Sequence, residues 1–157
     1  MFTVISPAKR LHEGPAIDAH AHTQPYWPEE SAQLIETLKP MDDGSLSKLM
    51  GISDSLAELN RERYQRWLPM PEPSLARQAA LTFAGDTYVG LDAGSLSDSD
   101  LEFAQGTLGI LSGLYGLLRP LDLVQPYRLE MGTSLKNQRG KNLYEFWGTK
   151  IAEKISE

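Results

Sequence analysis

The stretch from Leu108 to Leu118 constrains the fold most: it is apolar throughout, yet it contains Gly109, Gly113 and Gly116. Each glycine inside a helix costs about 1 kcal/mol relative to alanine, so this spacing disfavours a long helix. The run predicts a buried strand and a turn that bring two backbones close together. The whole uncharged stretch, Phe103 to Leu118, is shorter than the ~20 residues a membrane helix needs. It must therefore be buried by other parts of the chain. With 157 residues, 41% hydrophobic, there is enough chain to form such a core. The same apolar content excludes disorder over the full length.

Elsewhere the patterns are short and mixed. Phe2 to Ile5 predicts a buried strand closed by Ser6-Pro7. Residues 10–30 carry Pro, Gly, His and acids without periodicity and read as irregular. A helix is expected from Glu29 or Glu30 to Leu38, with Ala32, Ile35 and Leu38 at spacing three, ended by Lys39-Pro40. Asp43-Gly44-Ser45 reads as a turn with an N-cap, followed by a short helix bearing Leu46, Leu49 and Met50. Gly51-Ile52-Ser53 interrupts it, and a second helix runs from about Asp54 to Trp67. Pro69, Pro71 and Pro73 stiffen the connection that follows. Ser74 is expected to cap a third helix with Leu75, Ala79 and Phe83 on one stripe, stopped by Gly85. Thr87 to Leu91 reads as a strand. Ser97, with Asp98 and Asp100 in the first turn, starts a helix reaching about Thr107. Asn137 to Lys141 is a polar loop. Leu143, Phe146, Trp147, Ile151 and Ile155 define a last amphipathic helix, whose two isoleucines need a surface to cover. Tyr64, Trp67, Tyr115, Tyr127, Tyr144, Phe146 and Trp147 are expected in the core. No repeat or linker divides the chain. The fold class expected is α+β, an irregular α/β arrangement of short strands packed with helices in one domain, 1–157.

Charge and motif content exclude several functions. Fifteen Lys and Arg face 21 Asp and Glu, a net charge of −6, which taken alone opposes tight non-specific binding to nucleic acid. The imbalance is uneven: residues 1–118 are strongly acidic, whereas residues 119–157 hold seven basic and five acidic groups. There is no cysteine, so thiol peroxidase chemistry, disulfides and cysteine-ligated metals are excluded for these residues. Dinucleotide, P-loop, serine-hydrolase and zincin motifs are all absent. The opening Met1 to Lys9 lacks the order of a secretory signal. A cytoplasmic protein without a bound cofactor is expected.

Three constellations carry possible chemistry. The first is the corner Leu49 to Ala57, within a helix-hairpin-helix-like segment at 45–67. Its pattern is apolar–Pro–Gly–apolar–Gly with Met50 in place of Pro and Ser53 in place of the second Gly. A tight hairpin leading into a helix presents unpaired amides at the positive end of a dipole, where phosphate binds. Lys48, Gly51, Ile52, Ser53, Arg61 and Arg63 are the DNA-binding candidates. The same residues also fit an ordinary helical corner with Ser53 or Asp54 as N-cap, and Asp54 would repel phosphate. The second set, Lys9, Arg119, Asp122, Tyr127, Arg128 and Glu130, sits at the ends of apolar runs. It reads either as an anion cleft, with Lys9, Arg119 and Arg128 as clamps and Asp122 or Glu130 as acid or base, or as salt bridges joining Arg119 to Asp122 and Arg128 to Glu130. The third is Asp18-Ala19-His20-Ala21-His22 with His12, a weak metal signal from which no metal site is expected.

The segment Leu111 to Asp122, continued by Gln125 to Gly132, resembles the YaaA family of peroxide-stress proteins. So do Ile5-Ser6-Pro7-Ala8-Lys9, the pair Gly85-Asp86 with Tyr88 and Gly90-Leu91, and the closing Asn142 to Gly148. The resemblance implies a cytosolic bacterial protein that limits peroxide damage to DNA and binds duplex or branched DNA without sequence preference. It implies a helix-hairpin-helix, a basic cleft and no established catalysis. It also implies a further Lys- and Arg-rich portion beyond Glu157. No membrane or protein partner is implied. The alternative is an enzyme acting on a phosphorylated or nucleotide-like ligand in the Lys/Arg-lined cleft.

Overall fold

The structure, a computed structural model, describes residues 1–18 and 20–157; Ala19 of the histidine cluster lies outside the described residues. In chain order the strands and helices are β1 (Thr3–Ile5), β2 (Arg10–Leu11), α1 (Pro28–Leu38), α2 (Asp43–Met50), α3 (Asp54–Arg66), β3 (Arg77–Gln78), α4 (Ala79–Thr82), β4 (Phe83–Ala84), α5 (Asp86–Leu91), α6 (Asp98–Thr107), β5 (Leu108–Ser112), β6 (Gly116–Leu118), β7 (Leu123–Val124), α7 (Leu143–Trp147) and α8 (Lys150–Ser156). The class is mixed α+β. The chain folds into two compact units, each assembled from three separated segments.

The first unit comprises Met1–Tyr26, Met70–Leu111 and Leu117–Pro126. β1 runs parallel to β5, with Thr3 opposite Leu108 and Ile5 opposite Ile110, in a three-stranded sheet ordered β1-β5-β6. Two antiparallel pairs, β2 with β4 and β3 with β7, complete its strands. Ile110, Leu118, Leu123, Val124, Ala79 and Phe83 form its core. Buried Gln78 fastens the irregular N-terminal segment: its Oε1 accepts from Ile17 N at 3.0 Å, and its Nε2 donates to the carbonyls of Ile17 and Ala21. Ile17 and Ala21 lie outside any strand, and this side chain satisfies backbone groups of both.

The second unit comprises Trp27–Pro69, Ser112–Gly116 and Tyr127–Glu157. α1 opens with Pro28 and carries Glu29 and Glu30 in its first turn, as the dipole favours. Its Leu34, Ile35 and Leu38 are buried with Leu46, Tyr64, Leu114, Leu143, Phe146 and Trp147. The turn between β5 and β6 is held here. Trp147 Nε1 donates to Gly113 O at 3.0 Å, and Ser31 Oγ donates to Leu114 O at 2.9 Å. The Ser112 and Tyr127 hydroxyls share a buried hydrogen bond of 2.6 Å, and Trp67 Nε1 donates to Tyr115 OH.

Several local expectations fail for identifiable reasons. The strand at 3–5 forms at one edge of its sheet, but Phe2 and Val4 are exposed, so the run is not a buried strand. The helix expected from Ser74 is replaced by β3, one helical turn and β4. Pairing of Arg77-Gln78 with Leu123-Val124, and of Phe83-Ala84 with Arg10-Leu11, outweighs its propensity. The Thr82 hydroxyl, donating to Gln78 O at 2.8 Å, supports that compact turn. Thr87–Leu91 is helical, not extended: only Tyr88 is buried, Val89 is exposed, and Asp92 closes the turn in the left-handed region. The N-cap of α2 is Asp42, whose carboxylate accepts from Ser45 N, so 43–45 is already helix. Gly148, at φ 53°, splits the last helix in two. Ile151 and Ile155 are half-buried, and Tyr144 is exposed rather than in the core.

The second unit also contains a clear acid-sensitive pair. Glu30 Oε1 accepts from Lys150 Nζ at 2.6 Å, with Arg139 Nη2 at 4.0 Å. Burial pushes the Glu30 carboxyl up, but the Lys150 hydrogen bond and both cations outweigh it and hold the group below its ordinary 4.5. A lowered folded-state value stabilises above the unfolded value and loses that contribution as pH falls through the folded one. Lys150→Met is expected to cost about 0.5–1 kcal/mol at pH 7, because the pair is partly solvated. The difference between variant and parent in urea unfolding should shrink below pH 4.5.

Candidate functional site

The corner at 50–54 is built by two capping devices. Gly51 closes α2 at φ 63° and ψ 44°, and the Gly51 and Ile52 amides both donate to Ser47 O. This is the usual left-handed termination of a helix. Ser53 then caps α3, its Oγ accepting from Leu56 N at 3.3 Å. Ile52 is buried and anchors the turn, as Ala57 anchors the first turn of α3. Gly51, Ser53, Asp54 and Ser55 are exposed. A Cβ placed on Gly51 meets nothing within 4 Å, so its backbone faces open space.

The geometry alters which amides are available. Those of Gly51 and Ile52 already serve α2. The amides at the start of α3, on Asp54 and Ser55, have no intrahelical acceptor. Lys48, in the last turn of α2, is exposed. The other proposed cations lie farther along. Arg61 is about 12 Å from Ser53 at 1.5 Å per residue, and its Nε donates to Asp43 Oδ1 at 2.6 Å. Arg63 is half-buried, with Nη1 donating to Asn60 Oδ1 at 3.3 Å. The compact surface is therefore Lys48, Gly51, Ser53 and the opening amides of α3.

The second candidate set divides between the units. Lys9, Arg119 and Asp122 belong to the first; Tyr127, Arg128 and Glu130 belong to the second. Asp122 is fully buried. It accepts from Arg119 Nη2 at 2.9 Å, Arg119 Nε at 3.1 Å, Arg119 N at 2.7 Å and the Thr23 hydroxyl at 2.6 Å. Burial pushes its carboxyl up against the pull of those hydrogen bonds. Arg119 Nη2 also donates to Gln24 O, and its guanidinium lies 4.3 Å from the Tyr26 ring centroid. These contacts make the pair part of the scaffold. Arg128 Nη2 lies 3.5 Å from Glu130 Oε1, but no strand forms at 128–130. Tyr127 is buried on Ser112, and Lys9 is exposed. His20 Nδ1 contacts Asp98 Oδ1 at 3.2 Å, and among the described residues no group of three or more metal-ligating side chains occurs.

The first unit contains a cleft that neither set anticipates, lined by Arg10, His12 and Arg77 among others. Its signals in the sequence are the alternation of Arg10 and His12 about Leu11 and the motif Gly85-Asp86 with Tyr88, which also borders it. Among the described residues no helix is long and apolar enough to cross a membrane.

Comparison with known proteins gives two findings. The sequence model of a family described as peroxide stress protein YaaA matches residues 1–157. UPF0246 protein Bpet1601 of Bordetella petrii is 52% identical over 157 residues, covering 100% of this chain and 61% of that relative. The chain thus spans about three-fifths of the length of the curated relative it matches.

Proposed function

The chain belongs to the peroxide stress protein YaaA family, and from that premise we propose that it acts in the oxidative stress response by holding DNA through backbone phosphates. The family supports the role in that response. The observation that carries the DNA reading is the exposed corner at Gly51, where an open left-handed glycine leads into a 13-residue helix whose first amides have no intrahelical acceptor. Helix N-termini favour phosphate by both hydrogen bonding and dipole. The two units also differ in charge, the one with the corner being the less acidic. The unit containing the corner holds 11 of the 15 basic residues, and its net charge is −1 rather than −5. Contacts of this kind carry little sequence information.

Gly51→Asp adds a negative charge where phosphate would lie, and aspartate tolerates the left-handed region. We expect it to weaken duplex binding about tenfold, a change of about 1.4 kcal/mol. Gly51→Asn, which adds a similar volume without charge, should lose far less. Lys48→Glu should weaken binding and flatten its salt dependence. Fluorescence anisotropy with a labelled duplex from 50 to 200 mM salt, about the range over which phosphate contacts respond, reads all three. Affinity unchanged by Gly51→Asp, or independent of salt, would sink the proposal.

A further inference from the structure

In the first unit, β2, β4 and α5 border an open cleft of about 540 Å³. We propose that this cleft binds a nucleoside monophosphate, with the phosphate held by Arg10 and Arg77. No reaction is implied. The inference is independent of the DNA-binding corner.

The argument begins with strand register. Arg10 pairs with Ala84 and Leu11 with Phe83, and His12 N donates to Thr82 O at 2.6 Å. The pairing thus continues through His12. Side chains two apart on a strand share a face, so Arg10 and His12 project together. Both line the cleft. Arg77 arrives from β3, and its Nε donates to Leu81 O at 2.9 Å. That bond fixes the guanidinium and leaves its two Nη groups without a protein acceptor among the described residues.

Charge pairing separates these arginines from four others, although Arg66, exposed on α3, is likewise without an ion pair among the described residues. Arg61, Arg119, Arg128 and Arg139 each lie beside a carboxylate. Among the described residues, Arg10 and Arg77 have no such partner. The cleft also holds Asp86 and Asp92, exposed and equally without an ion pair. Two guanidiniums and two carboxylates therefore line one cleft without an ion pair among the described residues. A ligand matching them carries an anion for the arginines and hydrogen-bond donors for the aspartates. Phosphate and ribose hydroxyls supply both, and arginine suits phosphate through its planar fork of donors.

The apolar lining favours a ring as the third part of that ligand. Phe83 and Tyr88 pack with centroids 5.4 Å apart, and both border the cleft. The Tyr88 hydroxyl is committed to Ser6 O at 2.6 Å, and both rings are almost wholly buried, so they form the apolar floor of the cleft rather than an open stacking face. Val89, 76% exposed, adds apolar surface. A volume near 540 Å³ lies within the range of about 300–1,000 Å³ typical of small-molecule sites.

The test is isothermal titration of the full chain with adenosine 5′-monophosphate, beside adenosine and inorganic phosphate. Saturable binding of the nucleotide is expected, with each fragment at least about tenfold weaker because the match is shared between phosphate and nucleoside. Arg10→Glu is the diagnostic variant. Its side chain is exposed and makes no hydrogen bond within the described protein, so the fold should persist, as circular dichroism would verify. It should reduce nucleotide affinity about tenfold or more by replacing attraction with repulsion. Gly51→Asp should leave that affinity unchanged. The proposal is overturned if the nucleotide binds no better than phosphate, or if Arg10→Glu binds as well as the parent. Loss of nucleotide binding in Gly51→Asp would also overturn it, by locating the ligand at the corner.

Discussion

Asp122→Ala is expected to destabilise the protein by about 3–5 kcal/mol, the cost of removing one member of a buried ion pair. Arg119 would keep its contact with Gln24 O and the Tyr26 ring but lose the carboxylate that satisfies Nε, Nη2 and its own backbone amide. The Thr23 hydroxyl would lose its acceptor as well. Leaving these donors buried costs more than the intact bonds contribute. Urea unfolding of Asp122→Ala, Arg119→Met and the double variant separates the terms. The double variant should cost clearly less than the two single costs added, because no lone charge remains. Additive costs would mean that the pair is not coupled.

The same carboxylate has a defined pH signature. Burial raises its folded-state value above the 3.8 of the free group. A raised acid binds its proton more tightly when folded. Its contribution is therefore greatest below pH 3.8 and declines as pH rises through the folded value. Glu30 works in the opposite direction, so the two groups partly offset each other in acid.

Gly113→Ala is the second large effect. A Cβ at Gly113 would collide with the Leu129 carbonyl and crowd the Leu129–Glu130 peptide. The obstacle is backbone, which cannot rotate away as a side chain tip can. Gly113 O is also the acceptor for Trp147 Nε1, so shifting the turn disturbs the aromatic core. Overpacking at such a point is expected to cost about 3 kcal/mol or more. Thermal unfolding should show a much lower midpoint. By contrast Gly132→Ala, where a Cβ meets nothing within 4 Å, should be nearly silent. Equal effects at the two positions would remove the close-approach explanation.

Some of this was legible before any coordinates. The glycines of 108–118 implied two backbones in near contact, and Gly113 against Leu129 is that contact. The helices with strong caps were also readable. Ser97 and Asp100 form a capping box, and Ser53 caps α3, because these signals act within one turn of the chain. The family resemblance, carried by motifs from Ile5 to Gly148, agrees with a match over the whole chain.

The segments that depart from their local patterns share one cause. Residues 74–91 contain helical and extended patterns of similar strength, and distant partners decided between them. Arg77-Gln78 became a strand because Leu123-Val124 lay alongside, and Phe83-Ala84 because Arg10-Leu11 did. The fates of the charged residues followed the same rule. In the sequence, Arg119 and Asp122 fit a salt bridge and an anion cleft equally. Complete burial of the carboxylate and its Thr23 contact across 99 positions assign it to the scaffold.

Sequence alone determined what acts over a few residues: caps, breakers, the glycine turn and the absence of thiol chemistry. Tertiary structure decided which short segments paired and which cations found carboxylates among the described residues. Those outcomes depend on groups brought together from separate segments, and their energies exist only once the chain has paid the entropy of closing the intervening loops.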